Sequence, residues 1–400
     1  MKKPHNVNTL LRAGALLAVA VTGRNLAQAQ PSCSVTWTGN AGNGSWSTAS
    51  NWSPHKVPGP TSDVCIPTFT TADGAGLLGS SPSISVHSIQ VSEGGSLLFG
   101  SGNVSIATSL INQGLISLYG TTLSSGSIGL PNPGEIDVFD NSSITSPALS
   151  NTTGTVWVYP GGTLRLADNP VQLQNGNLSG GNWLVSGVLV IPSDISQITT
   201  EPGAAYDTVV SVDSGAALQD ASGNNALATL TSVGPNAVLS VSSLTVAQSL
   251  TSQGVVNVGA SLTVSGTYTQ ESGATTRISG SLSAASVIVQ PASTLQGSGT
   301  IASSVTNDGT VAPTGSLNVT GNYSQAASAA LTESFGATLH VQSNATLSGA
   351  LNVTVNPKHP PKSGATYTAL TAGSLNGSFT SHTAGFTLTT SANSIQVTKQ

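Results

Sequence analysis

The chain is written almost entirely as short apolar–polar alternations of four to six residues, each broken by Gly, Asn, Ser or Pro, and its phrases return at a near-constant spacing. Alternation of period two marks strands with one buried face, and breaks this frequent leave no room for long amphipathic helices. Ser243-Leu244-Thr245-Val246 returns 18 positions later as Ser261-Leu262-Thr263-Val264. The run Ser261 to Gln270 returns 55 positions on as Ser316 to Gln325. A second phrase, apolar-x-Asn/Ser-x-Gly-apolar, occurs at Ile111 to Leu115, Leu250 to Val255 and Val305 to Val311. A period of about 18 to 20 residues fits the rungs of a stacked solenoid, in which each coil buries little alone and needs neighbours on both sides.

The expected fold is therefore all-β, a right-handed parallel β-helix. Residues 70–340 would supply about 13 coils, a rod about 60 Å long at the spacing of hydrogen-bonded strands. Val, Leu and Ile would stack inward in aliphatic columns. Ser, Thr and Asn would face water, because only 6% of the 400 residues are charged against roughly 25% in ordinary soluble domains. The 45 Gly and 20 Pro suit many tight corners, with Gly and Asn taking the left-handed backbone that such corners require. An open solenoid end exposes unpaired backbone and an apolar lumen, so caps are expected at residues 30–69 and 341–400. The second of these alternates regularly enough to read as a small antiparallel module.

Lys2, Lys3 and Arg12 precede an apolar run from Ala13 to Val21 and the small-residue site Ala27-Gln28-Ala29. This is the pattern of an export signal over residues 1–29, with cleavage after Ala29 and no membrane-spanning segment left behind it. Its removal leaves 6 basic residues against 15 acidic ones, a net charge of −9. That balance argues against nucleic acid and anionic lipid as partners, since both require Lys/Arg stripes. Cys33 and Cys65, the only cysteines, read in an exported protein as a structural disulfide.

Trp37, Trp46 and Trp52 are expected to form the core of the N-terminal cap. Trp157, Tyr159 and Trp183 lie in strands and have two readings, lumen packing or an outward binding strip. The best carboxylate group is Glu135, Asp137 and Asp140. Alternation puts Glu135 and Asp137 outward on one strand face, where a pair of carboxyls can serve glycoside hydrolysis as acid and base; solvated side chains are the plainer reading. Arg165 is the nearest basic residue in sequence able to assist them, with Arg277 far along the chain. No G-x-S-x-G elbow, P-loop or H-E-x-x-H occurs, and His55, His87, His340, His359 and His382 lack ligand spacing. No metal or other cofactor is expected.

Thr36-Trp37-Thr38-Gly39, Gly44-Ser45-Trp46-Ser47, Asn51-Trp52-Ser53, Val57-Pro58-Gly59 and Asp63-Val64-Cys65-Ile66 together resemble the series that opens many secreted bacterial β-helix proteins of the autotransporter-passenger and adhesin kind. The run Ser363 to Phe379 is similar to the segment that closes the helix in those proteins. The resemblance spans about 50 residues at the two ends, and the coils between match in texture alone. It implies an exported protein at the cell surface or outside the cell, structural or adhesive, meeting a surface glycan or another cell-surface component. The chain departs from that family in lacking strands with the aromatic girdles of a C-terminal membrane barrel. The alternative class is a carbohydrate-active β-helix enzyme, a glycoside hydrolase or polysaccharide lyase working through Glu135, Asp137 and Asp140.

Overall fold

In the computed structural model the described residues are 32–68, 77–79, 83–131, 134–200 and 207–400, and the expected export signal lies outside them. Among these residues the regular structure is nearly all β, wound as a parallel β-solenoid of about 13 turns.

Each turn contributes one short strand to each of three walls. The first wall stacks Ser96–Phe99, Leu115–Leu118, Glu135–Val138, Thr155–Val158, Asn182–Val185 and Thr208–Val212 in parallel register, and it continues to Ala350–Thr354 and Ser381–His382. The second wall includes residues 102–106, Asn141–Thr145 and Thr163–Leu166, and later 243–246, 261–264 and Ser281–Ser283. The third includes Asp63–Ile66, residues 88–91 and, further on, Thr267–Gln270, Ser286–Val289 and Val305–Asn307. The recurrence at 18 positions is thus one rung lying on the next: Leu244 pairs with Leu262, and Ser243 Oγ sits 3.1 Å from Ser261 Oγ. The recurrence at 55 positions spans three rungs, through Tyr268, Val287, Val305 and Tyr323.

The lumen is aliphatic because alternation fixes which side chain points in. The inward column of the first wall reads Ile116, Ile136, Val156, Trp183, Val210, Leu239 and Val256, all essentially buried. Burying each aliphatic side chain stabilises by about 1.5–3 kcal/mol, so a single coil is worth little and a run of coils a great deal.

The corner from the third wall to the first carries a polar ladder inside the coil. Asn307 Oδ1 accepts from the Gly309 amide at 3.1 Å, while its Nδ2 donates to the Ala330 carbonyl at 3.1 Å. Asn112 repeats this arrangement with Gly114 and Glu135. The second sequence phrase is therefore a corner device, in which Asn caps its own turn and bonds to the next coil. Its glycine is obligatory on steric grounds: at Gly309 a Cβ would lie 2.3 Å from the Gln290 carbonyl oxygen of the coil beside it.

At the N-terminal end Val35–Trp37 adds to the third wall against Asp63–Ile66 and pairs antiparallel with Trp52–Ser53. Trp37, Trp46 and Trp52 are buried and meet edge to face, with Trp52 centroids 4.9 and 4.8 Å from the other two. Cys33 and Cys65 form a disulfide with Cα atoms 5.7 Å apart. At the other end parallel stacking runs beyond residue 340, through residues 344–347 and 374–377. Antiparallel pairing there is confined to Thr366–Gly377, Phe386–Thr390 and Ser394–Lys399.

One carboxyl lies inside the solenoid. Glu333 occupies an inward position at 1% exposure, with Oε1 unpaired and Oε2 accepting the Tyr367 hydroxyl at 3.4 Å. Burial holds its pKa well above the ordinary carboxylate range, so folding disfavours its ionisation. Stability contributed by this site is present below the unfolded value near 4.3 and is lost as pH rises above it. Glu333→Gln is expected to raise the thermal midpoint at pH 8 and to leave it unchanged near pH 3.5; equal shifts at both pH values would contradict this burial. Asn307→Ala is expected to cost about 1–3 kcal/mol in denaturant unfolding, because it strands the Gly309 amide and the Ala330 carbonyl.

Candidate binding site

Rung stacking converts three isolated strand phrases into one patch on the first wall. With Glu135–Val138 in register between Leu115–Leu118 and Thr155–Val158, two outward columns form, Leu115–Glu135–Thr155 and Ser117–Asp137–Trp157. A third column lies just past the strands. The amides of Tyr119, Phe139 and Tyr159 bond to the carbonyls of Phe99, Leu118 and Val138, extending the ladder by one residue. Their rings pile up along the rod: Tyr119 on Phe139 at 4.8 Å and 12°, Phe139 on Tyr159 at 4.3 Å and 21°. Trp157 closes the stack against Tyr159 at 4.4 Å and 18°. Offset stacking of this kind adds about 0.5–1.5 kcal/mol per pair beyond the area it buries.

Asp137 is outward on its strand but not solvated. Ser117 on one side and Trp157 on the other leave it 6% exposed, and its Oδ1 has no hydrogen-bond partner. Burial, the charge of Glu135 and a hydrogen bond shared with Glu135 push its pKa up to about 7, against the opposing hydrogen bond from the Tyr159 hydroxyl. Burial and the two carboxyls in turn push Tyr159 up to about 12. The expectation of two solvated outward carboxylates is therefore half corrected: Glu135 stays partly open, and Asp137 is covered by the neighbouring coil.

Glu135 also ends an open groove lined by Gly94, Gly95, Gln113, Gly114 and Leu115 along the corner of the same coils. Beyond the stack, Trp157 Nε1 donates to Ser186 Oγ at 3.4 Å, and that hydroxyl donates to Asp213 Oδ2 at 2.6 Å.

Three residues singled out from sequence stand elsewhere. Trp183 is no part of an outward strip: it pairs in register with Val156 and Val210 in the inward column, 2% exposed, with Nε1 donating to the Gly180 carbonyl at 3.0 Å. One residue of register separates it from Trp157, which faces outward at the next strand position. Asp140 is exposed at the following corner, where it accepts the Asn141 amide at 2.8 Å. Arg165 is not beside Asp137, because it belongs to the second wall, paired with Ser143.

Sequence reasoning passed over Tyr119 and Phe139, although Tyr119, Phe139 and Tyr159 fall 20 residues apart, one coil each. It also passed over a polar group at the cap, where His87 Nδ1 lies 2.7 Å and Ser88 Oγ 2.5 Å from Asp63 Oδ1. Both hold Asp63 below its usual pKa, the Ser88 bond first. The serine bonds to the carboxylate rather than to the imidazole, so the order needed to activate a nucleophile is absent. Among the described residues no group of three or more His, Cys, Asp or Glu side chains could hold a metal ion, and no helix is long and apolar enough to cross a membrane.

Comparison with protein-family models, with curated proteins and with solved structures found no match to this chain.

Because Asp137 is neutral at low pH when folded and would ionise near 3.8 when unfolded, the stability it contributes is lost as pH rises through about 7. Asp137→Asn is expected to stabilise the protein at pH 8 and not near pH 3.5. Emission from Trp157, taken as the difference from Trp157→Phe, is expected to titrate with a midpoint near 7 and to lose that transition in Asp137→Asn. A pH-independent difference spectrum would contradict the burial of this carboxyl.

Proposed function

We propose that this protein is an exported β-solenoid that acts at the cell surface or outside the cell as a structural or adhesive element, with no catalysis of its own. The observation that carries this reading is the state of the one outward carboxyl pair. Asp137 is sealed under Trp157 and Tyr159, where acid–base chemistry requires both carboxyls to reach substrate or water. From Asp137 the middle outward column runs Trp157, Leu184, Ser211, Ser240, Asn257, Arg277, so a basic group that could stabilise a developing anion comes six rungs away.

Export is supported by the charged, apolar and small-residue succession over residues 1–29 and by the Cys33–Cys65 disulfide, a bond that persists in oxidising compartments. The likeness of the Trp37, Trp46 and Asn51-Trp52 phrases to secreted bacterial adhesin-type β-helices supports the surface or extracellular placement. Chemistry is not what low charge and long Ser/Thr/Asn columns provide; they provide a stiff, neutral, wettable rod.

A carbohydrate-active enzyme is the second reading, favoured by one observation: Asp137 raised to about 7 beside Glu135 has the protonation state of a general acid near neutrality.

Fractionation of producing cells, with protease added to intact cells, tests the first reading. The chain from residue 30 is expected on the cell surface or in the medium, and its retention inside intact cells would overturn the proposal. Glu135→Gln with Asp137→Asn separates the two readings. The double variant is expected to behave as the parent in release of reducing sugar from a polysaccharide panel, with neither yielding product. Product from the parent that the double variant fails to form would establish the enzyme instead.

A further inference from the structure

We propose that the first wall over the coils from Gly94 to Ser186 is a binding site for an uncharged polysaccharide, with Tyr119 and Glu135 as its principal contacts. This rests on the reading of the protein as an exported adhesive rod, and it supplies that rod with a ligand class and a place to hold it.

Two separate features meet at Glu135. On one side is the Gly94, Gly95, Gln113 and Gly114 groove, whose floor is backbone and small side chains, so an extended chain can lie close to the coil. On the other is the ring stack. Within the stack most ring faces are covered by one another, but the column position below Tyr119 is Gly100, which has no side chain. Tyr119 is 38% exposed, one of three large hydrophobics among the described residues that are. A ring face left open at the end of a rigid stack suits the C–H face of a sugar ring, which is apolar without being oily.

The polar groups fit the same class. A sugar hydroxyl is matched by the partly open Glu135 carboxyl, to which it can donate. Ser186 and Asp213 continue the acceptor row past Trp157. Charge decides against other polymers: the patch holds Glu135, Asp137 and Asp213 and no basic residue before Arg277 on that column, so uronic-acid polymers and phosphate-bearing chains would be repelled.

The test is affinity electrophoresis of the mature chain through gels containing hydroxyethylcellulose, mixed-linkage β-glucan or galactomannan, with polygalacturonate as the acidic comparison. Retardation by at least one neutral polymer is expected. Tyr119→Ala should weaken it about tenfold, a loss of about 1.4 kcal/mol, and Tyr119→Ala with Glu135→Gln should abolish it. Arg277→Ala, on the same wall but distant, should change nothing. Far-ultraviolet circular dichroism of each variant confirms that the fold is retained, which the exposure of both side chains favours. Four results would overturn the proposal: no retardation by any neutral polymer, stronger retardation by polygalacturonate, retardation equal in the Tyr119 variants, or retardation removed by added salt. Each leaves the cell-fractionation result untouched, so the rod can fail as a glycan binder while standing as an exported protein.

Discussion

Every feature of this molecule depends on the in-register parallel pairing of one coil with the next. A parallel ladder sets successive strands about 4.8 Å apart and leaves each residue directly above its counterpart. Side chains are thereby sorted into columns, and a column tolerates only what can stack on itself: Leu on Leu, Ser on Ser, ring on ring, Asn bonding to the coil beyond. The alternation within a strand chooses between lumen and water, and the ladder then repeats that choice along the rod. Among the described residues the second-wall ladder breaks between Ala217–Gln219 and residues 243–246, and the two ends carry unlike structure, a tryptophan cluster with a disulfide at one and three antiparallel strands at the other.

The same rule explains how a chain with so little charge acquires a perturbed carboxyl. Nothing within Glu135-Ile136-Asp137-Val138 buries Asp137; the burial comes from Trp157, one coil later. Inside the lumen Glu333 meets the opposite fate, occupying a position that its neighbour Leu331 fills with an apolar side chain. Buried carboxyls are costly, and among the described residues there are two, Asp137 on the wall under Trp157 and Glu333 in the core, where it weakens the fold above acid pH.

The walls and the lumen were legible in sequence because they are local: period-two alternation names the inward residues, and the 18-residue recurrence of Ser-Leu-Thr-Val measures one coil directly. The N-terminal cap was legible from its tryptophans and cysteines. The patch was legible only in part, because it is made between coils. Glu135 and Asp137 could be paired from their spacing within one strand. Covering Asp137 with Trp157, and placing Trp183 inside, required the rung alignment of Thr155-Val156-Trp157-Val158 with Asn182-Trp183-Leu184-Val185, where the tryptophans differ by one position and so point to opposite sides. Arg165 looked near Asp137 by sequence distance, but a corner separates them, and a corner in a solenoid means a different wall. The aromatic column was present all along in the 20-residue spacing of Tyr119, Phe139 and Tyr159, a signal carried by residues just outside the strands that alternation marks.

The register itself is the central claim, and engineered cross-linking tests it most directly. Ser243→Cys with Ser261→Cys joins two positions whose hydroxyl oxygens are 3.1 Å apart on adjacent coils, and Ser243→Cys with Thr263→Cys joins positions two residues out of step. In the otherwise unchanged protein, oxidation should close the first pair intramolecularly and leave the second pair as free thiols. A disulfide in the second pair rather than the first would mean that the coils are stacked in another register, and the columns, the buried Asp137 and the aromatic stack would fall with it.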